Sequence, residues 1–301
     1  MAIIRTRRKI PKTEYQERLV VFIDILGFSD IVRKSERSPG SINLIYESLK
    51  FLKGREISTN WDLQLIEIEE DAQKRNMVEF NIVDRTNCTS FSDSIAVTVN
   101  CDENNINESF STLISNLSYV GATLMMKGIL FRGGITIGNV VHTPDGIIFG
   151  QGLIDAYQLE SSSAIFPRVL LSDRLIKKLN YPLESKRDRY PYHQYIKRFS
   201  DGSVGFHQMI YFEVLQSWVE MSKIKLTQSL NKIKNTIIKG LDSSFENPRV
   251  FEKYLWLKTE YESLNIEEKF KPKIHELNEN IAGQNIHYSY TDDYYENKTS
   301  H

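Results

Sequence analysis

The chain has 301 residues, of which 41% are hydrophobic and 26% charged, and a formal net charge of −1. That mix suits a folded chain with a sizeable core, and excludes wholesale disorder or a surface built to hold nucleic acid or anionic membrane. The two cysteines, Cys88 and Cys101, make neither a zinc spacing nor a disulfide framework. No stretch is long and apolar enough to span a bilayer and no signal peptide is visible, so a soluble cytoplasmic protein is expected.

In chain order, residues 1–16 form a basic arm containing "RTRRK", expected to be solvated. Residues 19–26, rich in Val and Ile, predict a strand that Gly27 ends. Within that apolar run stands Asp24. An isolated ionised carboxylate there would be costly to bury, so it must close the strand, find a partner or hold a cation. Residues 29–36 predict a short helix, and Pro39 and Gly40 a break. "SINLIYESLKFLK" has helical spacing with Ser41 as its predicted N-cap. Residues 54–80 are charged and are assigned no element.

"TSFSDSIAVTV" predicts a hairpin with Asp93 at its bend, and "NESFSTLISNLSYVGATLMMKG" a long helix closed by Gly128. "ILFRGGITIGNVVHT" predicts a strand, followed by a turn at "PDG". Its Gly133 and Gly134 permit either close packing at a dimer seam or a bulge. "GLIDAYQLESSS" predicts a helix, "RVLLSD" a strand and "GFHQMIYFEVL" a late strand. Residues 216–280 read as a helical extension broken at Pro248 and Pro272, with Tyr254, Trp218 and Trp256 on its core side. The polar tail 281–301 is expected to fray. His142, His193 and His207 read as surface or satisfied core side chains, because none has a second ligand at metal spacing.

The order strand, helix, helix, hairpin, helix, hairpin, helix, strand predicts an α+β fold. Its sheet is ferredoxin-like, with helices on one face, over residues 17–215. In such a sheet the first strand lies beside the central hairpin, so Asp24 and Asp93 could converge at one edge. Two adjoining carboxylates repel unless a divalent cation compensates them. With a backbone carbonyl they make a hard oxygen set suited to Mg²⁺ or Mn²⁺. The alternative is that each acid is only a cap or turn residue.

The segments "VVFIDILGFSDIV", "SFSDSIAV", "FRGGITIG" and "FGQGLIDAYQLESSSAIFPRVLLSD" together resemble class III nucleotidyl cyclase domains. The likeness is greatest to the pyrimidine cyclases of bacterial Pycsar anti-phage systems, with "AYQLE" and "PRV" favouring that branch. The resemblance implies metal ligation by Asp24, Asp93 and the Ile25 carbonyl, with two Mn²⁺ or Mg²⁺ ions per site. It places the triphosphate past Phe22 and the backbone of Gly27 and Phe28. The family's purine-reading Lys and Asp fall on Thr89 and Ile147, and its transition-state Asn and Arg on Ile154 and Gln158. Specificity has therefore changed or base recognition has been lost. Tyr46 is a candidate to exclude a purine, or a core aromatic. Arg132 is a candidate catalytic cation, or a donor to strand carbonyls; Arg168 reads as a structural salt-bridge residue.

By resemblance, the expected activity is conversion of UTP to 3′,5′-cyclic UMP and pyrophosphate, or of CTP to cyclic CMP. The product would be a second messenger acting on a separate anti-phage effector, and the sites would lie between the subunits of a homodimer. The rival expectations are an inactive cyclase-like nucleotide-binding domain and a two-metal phosphohydrolase or polymerase-like enzyme.

Overall fold

The computed structural model describes residues 13–52, 86–181, 191–218, 223–274, 277–279 and 286–288. The "RTRRK" arm, the charged stretch 54–80, the side chain of Trp218 and most of the tail lie outside them. Two compact units divide the chain: one covers residues to 125 and from 129 to 219, the other residues 126–128 and those from 220.

The first unit opens with strand β1 (Gln16–Ile25), helix α1 (Phe28–Ser35) and helix α2 (Pro39–Leu52). The hairpin of β2 (Thr86–Phe91) and β3 (Ser94–Asn100) follows, then helix α3 (Ile106–Met126) and strand β4 (Phe131–His142). These four strands stand in the order β2-β3-β1-β4, every neighbour antiparallel. That is the expected α+β, ferredoxin-like arrangement, with β1 inside and both its neighbours hydrogen-bonded. Residues Leu19 to Ile23 are buried on both faces for that reason. On one face Val20 and Phe22 pack with Ala96, Val140 and Ala156.

A short β5 (Ile148–Phe149) returns along β4, and helix α4 (Gln151–Gln158) widens into a π turn over Leu159–Ser163. Strand β6 (Arg168–Leu171) then runs parallel to β4, so β4-α4-β6 is a crossover laid against β1 and β4. Helix α5 (Asp173–Lys178), β7 (Lys197–Arg198), β8 (Val204–His207) and helix α6 (Ile210–Trp218) complete the unit. Arg168 is buried and ion-paired to Asp201 at 2.5 Å, its guanidinium over the Phe199 ring, the structural role expected of it.

Two local expectations are corrected. The late strand ends at His207. After a turn at Gln208 and Met209 the rest of "GFHQMIYFEVL" enters α6, where Ile210 to Phe212, Val214 and Leu215 are all buried. A helix buried nearly all round has no polar face, and periodicity cannot separate such a run from a strand. Gln208 sits at the switch: its amide donates to the Gly121 and Ile129 carbonyls and its Oε1 accepts from the Phe131 N–H. At the other site, Pro39 and Gly40 do not break the chain but open α2, so Ser41 is not its N-cap. Proline is tolerated there because a first-turn residue needs no N–H donor.

The second unit contains α7 (Lys223–Ser244), α8 (Pro248–Glu262) and a small ladder of β9 (Leu277–Glu279) with β10 (Ile286–Tyr288). The sequence reading assigned no strands there. Leu226, Leu230, Ile233, Ile237 and Leu241 form a buried stripe at helical spacing. Tyr254 of α8 lies over Gly240 so closely that no Cβ would fit. Trp256 is half-buried. No helix among the described residues is long and apolar enough to cross a membrane.

All three histidines singled out are buried. His193 stacks on Tyr181 and Tyr192. Burial, aided by Lys197, holds His207 down to about 3. The folded chain therefore keeps it neutral while the unfolded chain protonates it below its ordinary value of 6.5. Its contribution to stability is complete above that pH and falls as the solution is acidified, by about 1.4 kcal/mol per pH unit. His207→Phe should flatten the pH dependence of urea-unfolding stability between about pH 6.5 and 4.5 by that slope relative to the wild type. An unchanged slope would contradict the assignment.

Candidate active site

Strand register brings the two singled-out acids to one edge. Asp24, the penultimate residue of β1, pairs with Ser94 of β3 on one side and Arg132 of β4 on the other. Asp93 sits in the β2–β3 turn immediately before Ser94, where Ser92 takes a positive φ of 56°. The turn is tied back to β1 because the Ile25 N–H donates to the Asp93 carbonyl at 3.1 Å. Two acids separated by almost seventy positions thus adjoin.

The Asp24 carboxylate is half-buried and accepts from Ser94 Oγ at 3.3 Å. Burial, and then the charge of Asp93, push its carboxyl above the usual range; Arg132 and the Ser94 hydroxyl oppose the shift. Arg132 Nε lies 3.5 Å from Asp24 Oδ2 and 2.6 Å from Glu160 Oε1. Arg132 is therefore held by carboxylates and makes no hydrogen bond to strand carbonyls among the described residues. Glu160 lies in the π turn and is only 2% exposed. Burial first, and then Asp24 and Asp93, push it up to about 7 against the pull of Arg132.

The sequence reading missed Glu160. It stands inside the quoted "AYQLE", but an acid at a helix end is ordinarily solvated, and only the tertiary structure shows this one buried. Its place depends on Gly134, which follows Arg132 by two residues and so shares its face. A Cβ on Gly134 would lie 2.5 Å from the Ala156 carbonyl oxygen and 3.2 Å from the Glu160 N. Gly138 meets Gly152 of α4 in the same way. The close packing at Gly134 thus lies within one chain, between β4 and its own crossover helix.

Gly27 takes a positive φ of 70° and caps α1, its carbonyl accepting from the Asp30 and Ile31 N–H groups. The N–H groups of Gly27, Phe28 and Ser29 have no backbone acceptor among the described residues, which leaves donors for an anion. The Phe22 ring is in the core, 5.4 Å edge-to-face from Tyr157. Tyr46 is 61% exposed on α2 and is not a core aromatic.

Thr89 lies on β2, where its hydroxyl donates to the Gly146 carbonyl at 2.9 Å and so accepts from His142 Nε2 at 2.9 Å. His142 Nδ1 then accepts from Thr98 Oγ1 at 2.9 Å, a satisfied core imidazole. Ile147 and Ile154 are exposed, 56% and 48%, as is Gln158.

Among the described residues no three His, Cys, Asp or Glu side chains gather as a metal-ligand group. The candidate set is smaller: the carboxylates of Asp24 and Asp93 with the Ile25 carbonyl. That set fits a hard divalent cation whose other ligands are water and phosphate oxygens. Three carboxylates against one guanidinium also leave the cluster with excess negative charge for a cation to balance.

No family model matches the sequence, and no curated protein matches it. Among solved structures, a bacterial light-regulated adenylyl cyclase is 11% identical with a TM-score of 0.37, covering 73% of this chain and 100% of its own. The guanylyl cyclase Cya2 is 12% identical at 0.34, covering 56% and 80%. The guanylate cyclase domain of RhGC from Catenaria anguillulae, in complex with GTP, is 14% identical at 0.32, covering 64% and 95%.

Proposed function

We propose that the chain is a nucleotide cyclase acting on a pyrimidine nucleoside triphosphate, UTP before CTP. The observation that carries this reading is the convergence of Asp24 and Asp93 at one sheet edge, with Arg132 beside them. In the proposed reaction the ribose 3′-oxygen attacks the α-phosphorus. A new O3′–P bond forms as the bond to the β-phosphate oxygen breaks, pyrophosphate leaves, and the hydroxyl proton passes to solvent.

Asp24 and Asp93, with the Ile25 carbonyl, would hold Mn²⁺ or Mg²⁺. Such ions, when bound, lower the pKa of the hydroxyl and neutralise the leaving pyrophosphate. The protein's own work is positioning and charge. The free N–H groups at Gly27 and Phe28 donate to phosphate oxygens, and Arg132 supplies a cation toward developing negative charge. Ile147, Phe149, Ile154 and Tyr157 are exposed apolar groups on β5, the residue before it and α4, which supports a homodimer formed through these groups. The product is read as a second messenger for a separate anti-phage effector, in the manner of the Pycsar systems.

The pyrimidine reading rests on Thr89 and Ile147. The Thr89 hydroxyl is already committed to Gly146 and His142, and Ile147 has no polar group to read an adenine edge. Tyr46, exposed on α2, is the candidate to limit the size of the base. Purified chain given each of the four triphosphates with Mn²⁺ should convert UTP or CTP to a cyclic product, identified by mass spectrometry together with pyrophosphate. Robust cyclic AMP would overturn the base assignment, and phosphate release without a cyclic product would point to a phosphohydrolase.

A second reading, a nucleotide-binding domain without turnover, is favoured by Ile154 and Gln158, which bring neither the amide–guanidinium pair nor any charge to α4. Triphosphate binding with no cyclic product from any of the four nucleotides would select it.

A further inference from the structure

A carboxylate removed from water is costly unless a partner compensates it, and one partner is rarely enough without further hydrogen bonds. Glu160 is 2% exposed, and its Oε1 makes no directed hydrogen bond among the described residues. Its close neighbour is Arg132 Nε at 2.6 Å. The next three residues, Ser161 to Ser163, are exposed, so the π turn sends Glu160 inward and leaves the serines in water. Such turns are often found at functional sites. Gly134 admits the turn by leaving room for the Ala156 carbonyl and the Glu160 backbone nitrogen. A buried acid and a glycine seam converge on one guanidinium.

Arg132 is 24% exposed along its side chain. It is held through Nε, and Nη1 and Nη2 make no hydrogen bond to protein among the described residues.

Resting on the cyclase reading, we infer that Glu160 is the positioning residue of Arg132: buried beneath the sheet edge, it grips Nε and presents the remaining guanidinium nitrogens to the phosphates of a bound nucleoside triphosphate. Glu160 itself touches no substrate. A long arginine beside Asp24 would otherwise fold onto that carboxylate and compete with the cation the acids are there to hold. Glu160 draws it away, so that one strand edge offers a cation site and an anion site side by side. The arrangement supplies from β4 the positive charge that α4 lacks at Gln158.

The test is a double-mutant cycle on the full chain, with Glu160→Gln, Arg132→Ala and the double variant. Two quantities are read: binding of the α,β-methylene analogues of UTP and CTP, whose bridging carbon blocks pyrophosphate departure, and kcat/KM with the triphosphates and Mn²⁺. Loss of a buried charge contact predicts that Glu160→Gln weakens both by about tenfold to a hundredfold in the native background. In the Arg132→Ala background it should change neither by more than about twofold. Equal losses in both backgrounds, or no loss in the native one, overturn the inference, since a merely structural acid does not need the guanidinium to be felt. If Glu160→Gln fails to fold in thermal melts, Glu160→Asp takes its place with the same expectation.

The cyclase reading fails separately. Coupled binding of the analogues with no cyclic product refutes that reading and keeps the positioning role, whereas a wild-type chain that binds neither analogue refutes both.

Discussion

Asp24→Asn and Asp93→Asn should each lower cyclic-nucleotide formation with Mn²⁺ by at least about a thousandfold, a loss of about 4 kcal/mol of transition-state stabilisation. Both replacements keep the side-chain shape and remove one negative charge. Neither should unfold the chain. The bond that holds the hairpin turn to β1 runs from the Ile25 N–H to the main-chain carbonyl of Asp93, so the side chain of Asp93 is not part of it. Burial and the neighbouring Asp93 raise the Asp24 pKa, which means that the charge of Asp24 is disfavoured in the fold. Asp24→Asn should therefore leave the melting temperature unchanged or slightly raised. Near-normal turnover in either variant would end the proposal that these acids hold the catalytic cation, and a large drop in melting temperature would make them structural instead.

Gly134→Ala should destabilise the chain by about 1–3 kcal/mol, the usual range for forcing atoms into a packed site. The added methyl would stand 2.5 Å from the Ala156 carbonyl oxygen and 2.9 Å from Leu159 Cβ, both on the crossover helix and its π turn. That segment must lift from β4, and Glu160 with it, so turnover should fall along with stability. Gly40→Ala is the matched control. Gly40 lies in α2 with nothing within 4 Å of a new Cβ, and alanine there should stabilise by about 0.5–1 kcal/mol by improving helix propensity. Urea unfolding of the two variants checks both signs. A Gly134→Ala chain as stable as the wild type would show that β4 and α4 can separate without cost, and the proposed seating of Glu160 would go with it.

Much of the sheet was legible because its signals are local. β-branched residues before Gly27, the acid at the "FSDS" bend and the "PDG" turn each mark a strand end by side-chain chemistry alone. The reading failed where burial hides periodicity. In "MIYFEVL" the apolar residues occupy nearly every helix face, and a run of that kind reads as a strand. It failed again at Pro39 and Gly40, because proline marks a helix start as readily as a loop. At the site, Asp24 and Asp93 are legible in the sequence, since Asp24 interrupts an apolar run and Asp93 stands at a hairpin bend. Glu160 does neither: it follows a helix and precedes three serines, as a solvated acid would.

The amino-acid order by itself determined that β1, the β2–β3 hairpin and β4 would form, and which acids would stand at their ends, because alternation and turn residues act over a few positions. Only the tertiary structure decided that Arg132 lies between Asp24 and Glu160, and that Glu160 is out of water. Those facts depend on strand register and on how near α4 can approach β4 over Gly134 and Gly138. No local preference encodes a distance between segments; it is set when backbones meet and hydrogen bonds and packing fix the fit.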